Sequence, residues 1–177
     1  IVQSNQQKEI ASEILQKIRD EKDFFVRKKI DGKVDIASGV LLFRPDYKKV
    51  LMMDHVKIKT WTFPGGHADG EIDLYKVALQ ELREEVDIDI TYDINHQNLP
   101  SLLYKFDYTA KTFGYIKSIV TLYFVITCPE DQEPQNAEPD KCKQVKWMSI
   151  EEVKEIAKTD TTDVLDKVID LWEDLLK

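Results

Sequence analysis

The sequence predicts a single α/β domain, and three observations support that prediction. The 177 residues are 42% hydrophobic, which is enough for one domain with a sizeable core. Several segments are rich in β-branched and aromatic residues and end at polar turns, as β-strands do. Other segments repeat apolar residues every three or four positions, which is typical of an amphipathic helix.

Residues 1–28 are predicted to form a helical extension. Within them, Ile10, Ile14 and Ile18 recur at four-residue steps among polar residues, which gives one apolar helical face. A helix of this kind packs either on its own domain or on a second copy of the chain. A monomer and a homodimer are therefore both open.

Residues 33–158 are the predicted core of the domain, which begins with a β-hairpin. Residues 33–43 and 50–53 have strand patterns, and a Pro-Asp turn lies between them. Residues 101–108 and 115–127 are aromatic and β-branched enough to form two longer strands. The short connection between these two segments predicts that they pair.

The end of the chain predicts one more strand and two helices. Residues 143–148 have a short strand pattern, and Ser149 opens the next helix in the form of a capping box. Residues 161–177 are the predicted C-terminal amphipathic helix. Its apolar face comprises Leu165, Val168, Leu171, Trp172 and Leu175.

Residues 65–89, in the middle of the core, are the segment that indicates chemistry. Gly65 and Gly66 follow a proline, which predicts a turn where the backbone bends or approaches another group closely. A helix with one buried face follows over residues 73–86, and Asp73 is its predicted N-cap.

Three glutamates on this helix point to a possible metal site. Glu81, Glu84 and Glu85 stand at i, i+3 and i+4, so their carboxylates cluster on one side. Such a patch destabilises a helix unless a cation lies within it, and carboxylate oxygens suit Mg²⁺ or Mn²⁺. From the spacing alone, a metal site and an ordinary solvated acidic face are both open.

The glycines and glutamates together resemble the signature of the Nudix hydrolases, G-x5-E-x7-R-E-U-x-E-E-x-G-U, in which U is aliphatic. Gly66 takes the place of the first glycine. The other matching positions are Glu81, Leu82, Glu84, Glu85 and Ile88. Residues 24–90 are also similar to a bacterial branch of this family that has a GGHADG turn after an N-terminal helix.

The sequence departs from the signature at three positions. Ile72 replaces the first glutamate, but acidic residues flank it on both sides. Gln80 replaces an arginine that orients a glutamate of the signature, so a neutral hydrogen bond replaces a charge-assisted one. Asp87 replaces a glycine at a left-handed helix end, a conformation that aspartate tolerates better than branched residues do.

The resemblance implies a Nudix fold, which is a mixed β-sheet sandwiched between helices. It implies a Mg²⁺- or Mn²⁺-dependent hydrolase that cuts a diphosphate linkage in a nucleoside diphosphate linked to another group. Glu81, Glu84 and Glu85 would be metal ligands and catalytic residues, with Glu84 either a ligand or the general base. Gly65, Gly66 and His67 would bind the substrate.

Two other functions use the same fold. A Nudix-like binding module would hold a nucleotide or a protein without cutting it, and Gln80 and Ile72 favour that alternative, but all three glutamates are retained. An isoprenoid diphosphate isomerase would need a catalytic cysteine, and neither Cys128 nor Cys142 lies in a suitable motif. The enzyme is therefore the favoured interpretation.

Composition limits the partners and the compartment. The chain has 33 acidic and 25 basic residues, and this net charge of −8 argues against duplex nucleic acid. It contains no apolar run long enough for a bilayer and no cysteine framework for disulfides. We therefore expect a cytoplasmic protein that binds a small phosphorylated molecule such as a nucleotide. Glu138 and Asp140, in the loop before the last strand, are left out of the predicted site.

Overall fold

The computed structural model describes residues 34–110, 115–160 and 162–177. The predicted helical extension, residues 1–28, lies outside the described residues.

The described residues form seven strands and three helices. The strands are β1 (Val34–Phe43), β2 (Val50–His55), β3 (Thr60–Thr62), β4 (Gly65–His67), β5 (Leu102–Ala110), β6 (Tyr115–Thr127) and β7 (Cys142–Met148). The helices are α1 (Leu74–Val86), α2 (Ile150–Ala157) and α3 (Val164–Leu175).

One mixed sheet contains all seven strands. Its main order is β3-β2-β1-β6-β5, with β4 paired to β1 and β7 paired to β2. β1 and β6 are parallel, and every other pair is antiparallel. The predicted pairing of the two long strands, β5 with β6, is confirmed.

The sheet lies between helices, as predicted, because consecutive residues of β1 and β2 point to opposite faces. On one face, α1 shares a buried cluster with the sheet that includes Leu74, Val77, Leu82, Val40 and Leu51. On the other face, α2 and α3 share a second cluster that includes Val153, Leu165, Trp172, Leu41 and Phe43. Fully burying one such side chain contributes about 1.5–3 kcal/mol, so both layers hold the sheet in place.

The caps that begin the helices agree with the sequence. The Ser149 hydroxyl accepts from the Glu152 N–H and the Glu152 carboxylate accepts from the Ser149 N–H, which completes the predicted capping box.

Cys128 and Cys142 are buried and unbonded to each other. In the part of the chain that the structure describes, no helix is both long enough and apolar enough to cross a bilayer.

The structure adds detail to two local predictions. The predicted hairpin between β1 and β2 is present, and its register pairs Phe43 with Val50, while β4 pairs with β1 from Ala37 to Gly39. Gly65 and Gly66 were predicted to mark a place where the backbone bends or approaches another group closely, and they form β4, in register with Gly39 and Ser38 of β1. A Cβ at Gly65 would lie 2.7 Å from the Ser38 carbonyl oxygen, so the glycine allows close strand pairing rather than a bend.

Candidate active site

The helix that carries the glutamates is anchored at both ends. At its start, the Asp73 carboxylate accepts a hydrogen bond from the Lys76 N–H at 3.2 Å, which is the predicted N-cap. At its end, Asp87 is left-handed with φ 58°, and its N–H donates to the Arg83 carbonyl at 3.1 Å. Asp87 therefore makes the helix end that a glycine makes in the family signature.

A second set of contacts surrounds Asp73. The Tyr92 hydroxyl donates to Oδ2 of Asp73, and His96 Nε2 lies 3.0 Å from both carboxylate oxygens. Nδ1 of His96 accepts from the Asn98 N–H at 3.2 Å, so Nε2 carries the proton that is donated to Asp73. Burial alone would raise the pKa of Asp73, but the bonds from Tyr92 and His96 outweigh it and lower that pKa.

Glu85 joins the helix to the glycine strand. The Gly65 N–H donates to Oε1 of the half-buried Glu85 side chain at 2.8 Å. Burial raises the pKa of Glu85 to about 8, and the charges of Glu81 and Glu138 add to that effect against the opposing Gly65 bond. Near neutral pH, Glu85 therefore keeps its proton and donates it in a hydrogen bond to Glu81.

Glu81 lies directly against the second glycine. A Cβ at Gly66 would lie 2.5 Å from the carboxyl carbon of Glu81, so only glycine leaves room for this side chain. Burial and the charge of Glu84 raise the pKa of Glu81, and the bond from Glu85 opposes them. The structure thus brings Glu81 and Glu85 together, packed against Gly66 and Gly65.

Glu138 is a further carboxylate at this place, and the sequence prediction left it out. The loop that carries it is fixed to the end of α1, because the Gln135 and Ala137 N–H groups donate to the Val86 and Glu85 carbonyls at 2.9 and 3.1 Å. The charge of Glu138 raises the pKa of both Glu81 and Glu85. Its position before the last strand was the only sequence signal for it.

A lysine accompanies Glu138. Lys141 Nζ lies 2.8 Å from Oε2 of Glu138, and both residues belong to the same turn before β7. The charge of Lys141 also lowers the pKa of Glu81, although less than burial raises it. One exposed lysine therefore offsets only part of the effect that burial and the neighbouring acids have on Glu81.

Glu84 is set apart from the other two glutamates of the signature. Its side chain is exposed, and its Oε1 accepts a hydrogen bond from Gln80 Nε2 at 3.0 Å. Gln80 therefore makes the neutral contact that the sequence predicts in place of an arginine contact. Ile72, the remaining departure from the signature, is 48% exposed. The carboxylate of Glu71 beside it accepts a hydrogen bond from the Asp73 N–H.

The predicted substrate-binding residues border a large cavity. Gly65, Gly66 and His67 line a cavity of about 850 Å³ next to β3 and β4. His67 is exposed at the end of β4. Lys59 also lines it, from a turn over residues 56–59.

The donor set at this site is suited to a hard divalent cation, because every candidate ligand is a carboxylate oxygen. Among residues 34–110, 115–160 and 162–177, no three acidic, histidine or cysteine side chains already stand in a ligand arrangement. The protonated Glu85 instead donates a hydrogen bond to Glu81. A cation in place of that proton would allow both carboxyl groups to be charged without repulsion between them.

Comparisons with solved structures agree with the fold. A MutT NUDIX hydrolase from Burkholderia pseudomallei is 19% identical, with a TM-score of 0.50 over 67% of this chain and 84% of the other. An Ap4A hydrolase from C. elegans is 22% identical, with a TM-score of 0.51 over 80% of this chain and 97% of the other.

A third similar structure belongs to a longer protein. A bifunctional NMN adenylyltransferase/ADP ribose pyrophosphatase from Francisella tularensis, complexed with AMP and a Mn ion, is 19% identical with a TM-score of 0.58. The match covers 93% of this chain but 47% of that one. At these identities, the three structures establish the fold.

No curated protein matches the chain significantly. The family itself is established by sequence, since residues 33–171 match the NUDIX domain family. These residues include both partners of the glutamate pair, the glycine strand and the loop that carries Glu138. The chain therefore belongs to the NUDIX domain family, which confirms the prediction of a Nudix-type pyrophosphohydrolase.

Proposed function

We propose that the protein is a divalent-metal-dependent hydrolase that cuts the diphosphate linkage of a nucleoside diphosphate joined to another group. We also propose that it acts in the cytoplasm. The observation that carries this proposal is the contact between Glu81 and Glu85. Folding places two half-buried carboxyl groups together and raises the pKa of both, which is costly unless the site uses a cation.

Glu81, Glu85 and Glu138 are the residues that would hold the metal, with Glu84 at the exposed edge. When bound, Mg²⁺ or Mn²⁺ would neutralise the diphosphate and activate the attacking water. The Gly65 N–H fixes Glu85, and Gly66 leaves the space in which Glu81 lies. These backbone contacts keep the ligands in place before any substrate arrives.

Glu84 is the candidate for a different task. Gln80 occupies its Oε1, which leaves Oε2 free to accept a proton from a water molecule at the exposed side of the site. Glu84 also lies on the same side of the helix as Glu81, so a role as a metal ligand stays open for it. General base and ligand are therefore both assigned to Glu84 as alternatives.

The substrate class is supported by what the similar proteins act on. The names of two of them include Ap4A and ADP ribose, and that of a further similar structure, from E. coli, includes dihydroneopterin triphosphate. These compounds differ in the groups they carry and share a chain of linked phosphates. A site made of carboxylates and a cation recognises that shared part, so the flanking group must be recognised elsewhere.

The test is a panel of nucleoside diphosphate sugars, dinucleoside polyphosphates, NADH, ADP-ribose and oxidised nucleoside triphosphates, each assayed with Mg²⁺ and with Mn²⁺. We expect hydrolysis of at least one compound, which stops when the metal is chelated. The matched control is Glu173→Gln, an exposed glutamate on α3, which should retain full activity. If no compound is cut while nucleotides bind measurably, the protein is a binding module instead.

A further inference from the structure

The cavity beside β4 shares its wall with the carboxylate site. Gly65 and Gly66 line the cavity, and the same two residues contact Glu85 and Glu81. A substrate whose phosphates lie at the carboxylates therefore has this cavity as the neighbouring space for its remaining part. Its volume of about 850 Å³ lies within the usual range for small-molecule sites.

Four aromatic side chains line this cavity. Trp61 comes from β3, Phe63 from the turn before β4, Tyr104 from β5 and Tyr123 from β6. Phe63 and Tyr123 meet edge to face, with ring centroids 5.9 Å apart. Trp61 is only partly buried, although it packs against the apolar cluster under α3. A partly buried tryptophan that lines a cavity offers a surface on which a flat ring can stack.

A glycine makes room for one of these rings. A Cβ at Gly39 would lie 2.5 Å from the ring of Tyr123, so this ring lies directly over the backbone of β1. Burial raises the pKa of Tyr123 well above its usual value, so the phenol stays neutral. Tyr123 thus contributes an uncharged aromatic ring to the lining of the cavity.

One carboxylate of the cavity lining is held in place by hydrogen bonds. Asp160 lines the cavity, and its Oδ1 and Oδ2 accept hydrogen bonds from the Thr162 N–H at 3.1 Å and the Thr162 hydroxyl at 3.0 Å. Each oxygen keeps a further lone pair, because a carboxylate has about four acceptor sites. Asp160 therefore presents a fixed acceptor to anything that enters the cavity.

We propose that this cavity binds the aromatic base of the nucleoside, stacked on Trp61, and that Asp160 accepts hydrogen bonds from N–H donors at the edge of that base. The inference rests on the proposed function, since it assigns the remaining part of the same substrate. It makes Trp61 the residue that supplies affinity and Asp160 the residue that determines which base is preferred.

The chemistry of the bases gives the direction of that preference. The Watson–Crick edge of guanine carries two adjacent N–H donors, which match the two oxygens of a carboxylate. The same edge of adenine or uracil places an acceptor next to its donor, and a carboxylate repels an acceptor. Asp160 therefore favours guanine.

The test uses uncharged nucleosides with the full-length protein and no metal. Guanosine, adenosine, uridine and plain ribose are titrated by saturation-transfer NMR and calorimetry. Because these probes lack phosphates, the result does not depend on whether the carboxylate site hydrolyses anything. We expect the nucleosides to bind more tightly than ribose, and guanosine to bind most tightly.

Matched variants distinguish stacking on the Trp61 ring from simple contact with an apolar side chain. Trp61→Leu should weaken guanosine binding roughly tenfold, because it removes the π-face, while Trp61→Phe should retain most of the affinity. The control Trp147→Leu changes a tryptophan that contacts Arg44 outside the cavity and should leave binding unchanged. Asp160→Asn should abolish the preference for guanosine over adenosine, whereas Asp166→Asn, an exposed residue of α3, should not.

Four results would overturn the proposal. Ribose binding as tightly as the nucleosides would show that the cavity does not select a base. Unchanged binding in Trp61→Leu, or no binding of any nucleoside, would place the base elsewhere. Nuclear Overhauser contacts between residues 1–33 and Trp61 that nucleosides do not displace would show that the chain fills the cavity itself.

Discussion

The two ends of α1 both carry acidic side chains, and the surrounding residues treat those acids in opposite ways. At the N-terminal end, Asp73 receives hydrogen bonds from Tyr92, His96 and a backbone N–H, and its pKa is lowered. Toward the C-terminal end, Glu85 receives one backbone bond but faces Glu81, and its pKa rises to about 8.

From this difference we interpret Asp73 as a structural acid and propose that Glu85 is a functional one. A carboxylate surrounded by donors stabilises the fold in its charged form, so it requires nothing further. Two carboxyl groups pressed together in a half-buried place destabilise the metal-free protein when both are charged. Proteins keep such an arrangement where a cation or a reaction uses it, and four substitutions or conditions test that account here.

The largest effect is expected from removing the charge at the C-terminal end. Glu85→Gln should lower kcat at least about a hundredfold, because a metal that stabilises the transition state contributes several kcal/mol. Asp73→Asn should lower stability by about 1 kcal/mol and leave kcat within about threefold. Steady-state kinetics at saturating metal, with circular dichroism to verify folding, measures both variants.

Equal losses of kcat in the two variants would contradict the distinction between Glu85 and Asp73. They would mean that α1 acts as one rigid unit, in which any disturbance of the helix disturbs the reaction. The assay requires the substrate found in the panel described above.

The next effect concerns two glycines near the two ends. In Gly66→Ala, the new methyl group would collide with the Glu81 carboxyl group at 2.5 Å, so Mn²⁺ affinity should fall about tenfold or more. Gly70 precedes the N-terminal end with φ +90°, and nothing lies within 4 Å of a Cβ there. Gly70→Ala should therefore cost about 1 kcal/mol of stability from backbone strain alone and leave Mn²⁺ affinity intact.

Mn²⁺ titration followed by calorimetry distinguishes these outcomes. If the two alanine variants bind Mn²⁺ equally well, then Glu81 is not held at Gly66 in the metal-bound protein. The glycine would then serve only the pairing of β4 with β1.

A smaller effect is expected at Gln80, which holds Glu84 by a neutral bond. Gln80→Arg should raise turnover by up to about tenfold, since a charge-assisted bond is worth about 1.5–3 kcal/mol against about 1 for a neutral one. Gln80→Lys is the control, because it adds the same charge without a planar fork. Arginine must exceed lysine in kcat; an equal gain would indicate general electrostatic attraction of the anionic substrate.

The smallest effect is the pH dependence of the stability of the metal-free protein. The sign of this dependence differs between Glu85 and Asp73. Stability from neutral Glu85 is fully present below about pH 4.5, its ordinary pKa, and is lost as the pH rises through about 8. Stability from Asp73 is present above its ordinary pKa of 3.8 and is lost as the pH falls through its lower folded value.

Urea denaturation with a chelator from pH 5 to pH 9 measures this dependence. Wild type should lose about 1 kcal/mol that Glu85→Gln retains, a value reduced because water reaches the half-buried side chain. Asp73→Asn should run parallel to wild type over this range and differ only in acid. A flat wild-type profile would contradict the proton that we assign to Glu85.

Much of the fold and part of the site follow from the sequence. The helix α1, its Asp73 cap, its Asp87 end and its three glutamates are local features, set by spacing within one turn or two. The pairing of β5 with β6 is also local, because a short connection joins the strands. Each of these features depends on residues that are close together in the sequence.

The features that the sequence did not predict depend on distant contacts. Gly65 and Gly66 form a strand because β1 lies beside them, which the glycine pattern alone does not reveal. Glu138 reaches the site because its loop is bonded to the backbone of Val86 and Glu85. The cavity collects residues from five separate segments, so no single stretch of sequence indicates it.

The central claim is that the Glu81–Glu85 pair is a cation site, and thermal melting at neutral pH with and without Mg²⁺ or Mn²⁺ tests it most directly. Metal should raise the melting temperature of wild type, because it binds only the folded state. The same shift should appear in Asp73→Asn from a lower starting temperature and vanish in Glu81→Gln with Glu85→Gln. An equal shift in wild type and in the double variant would contradict the account, since the pair would then be an ordinary acidic surface.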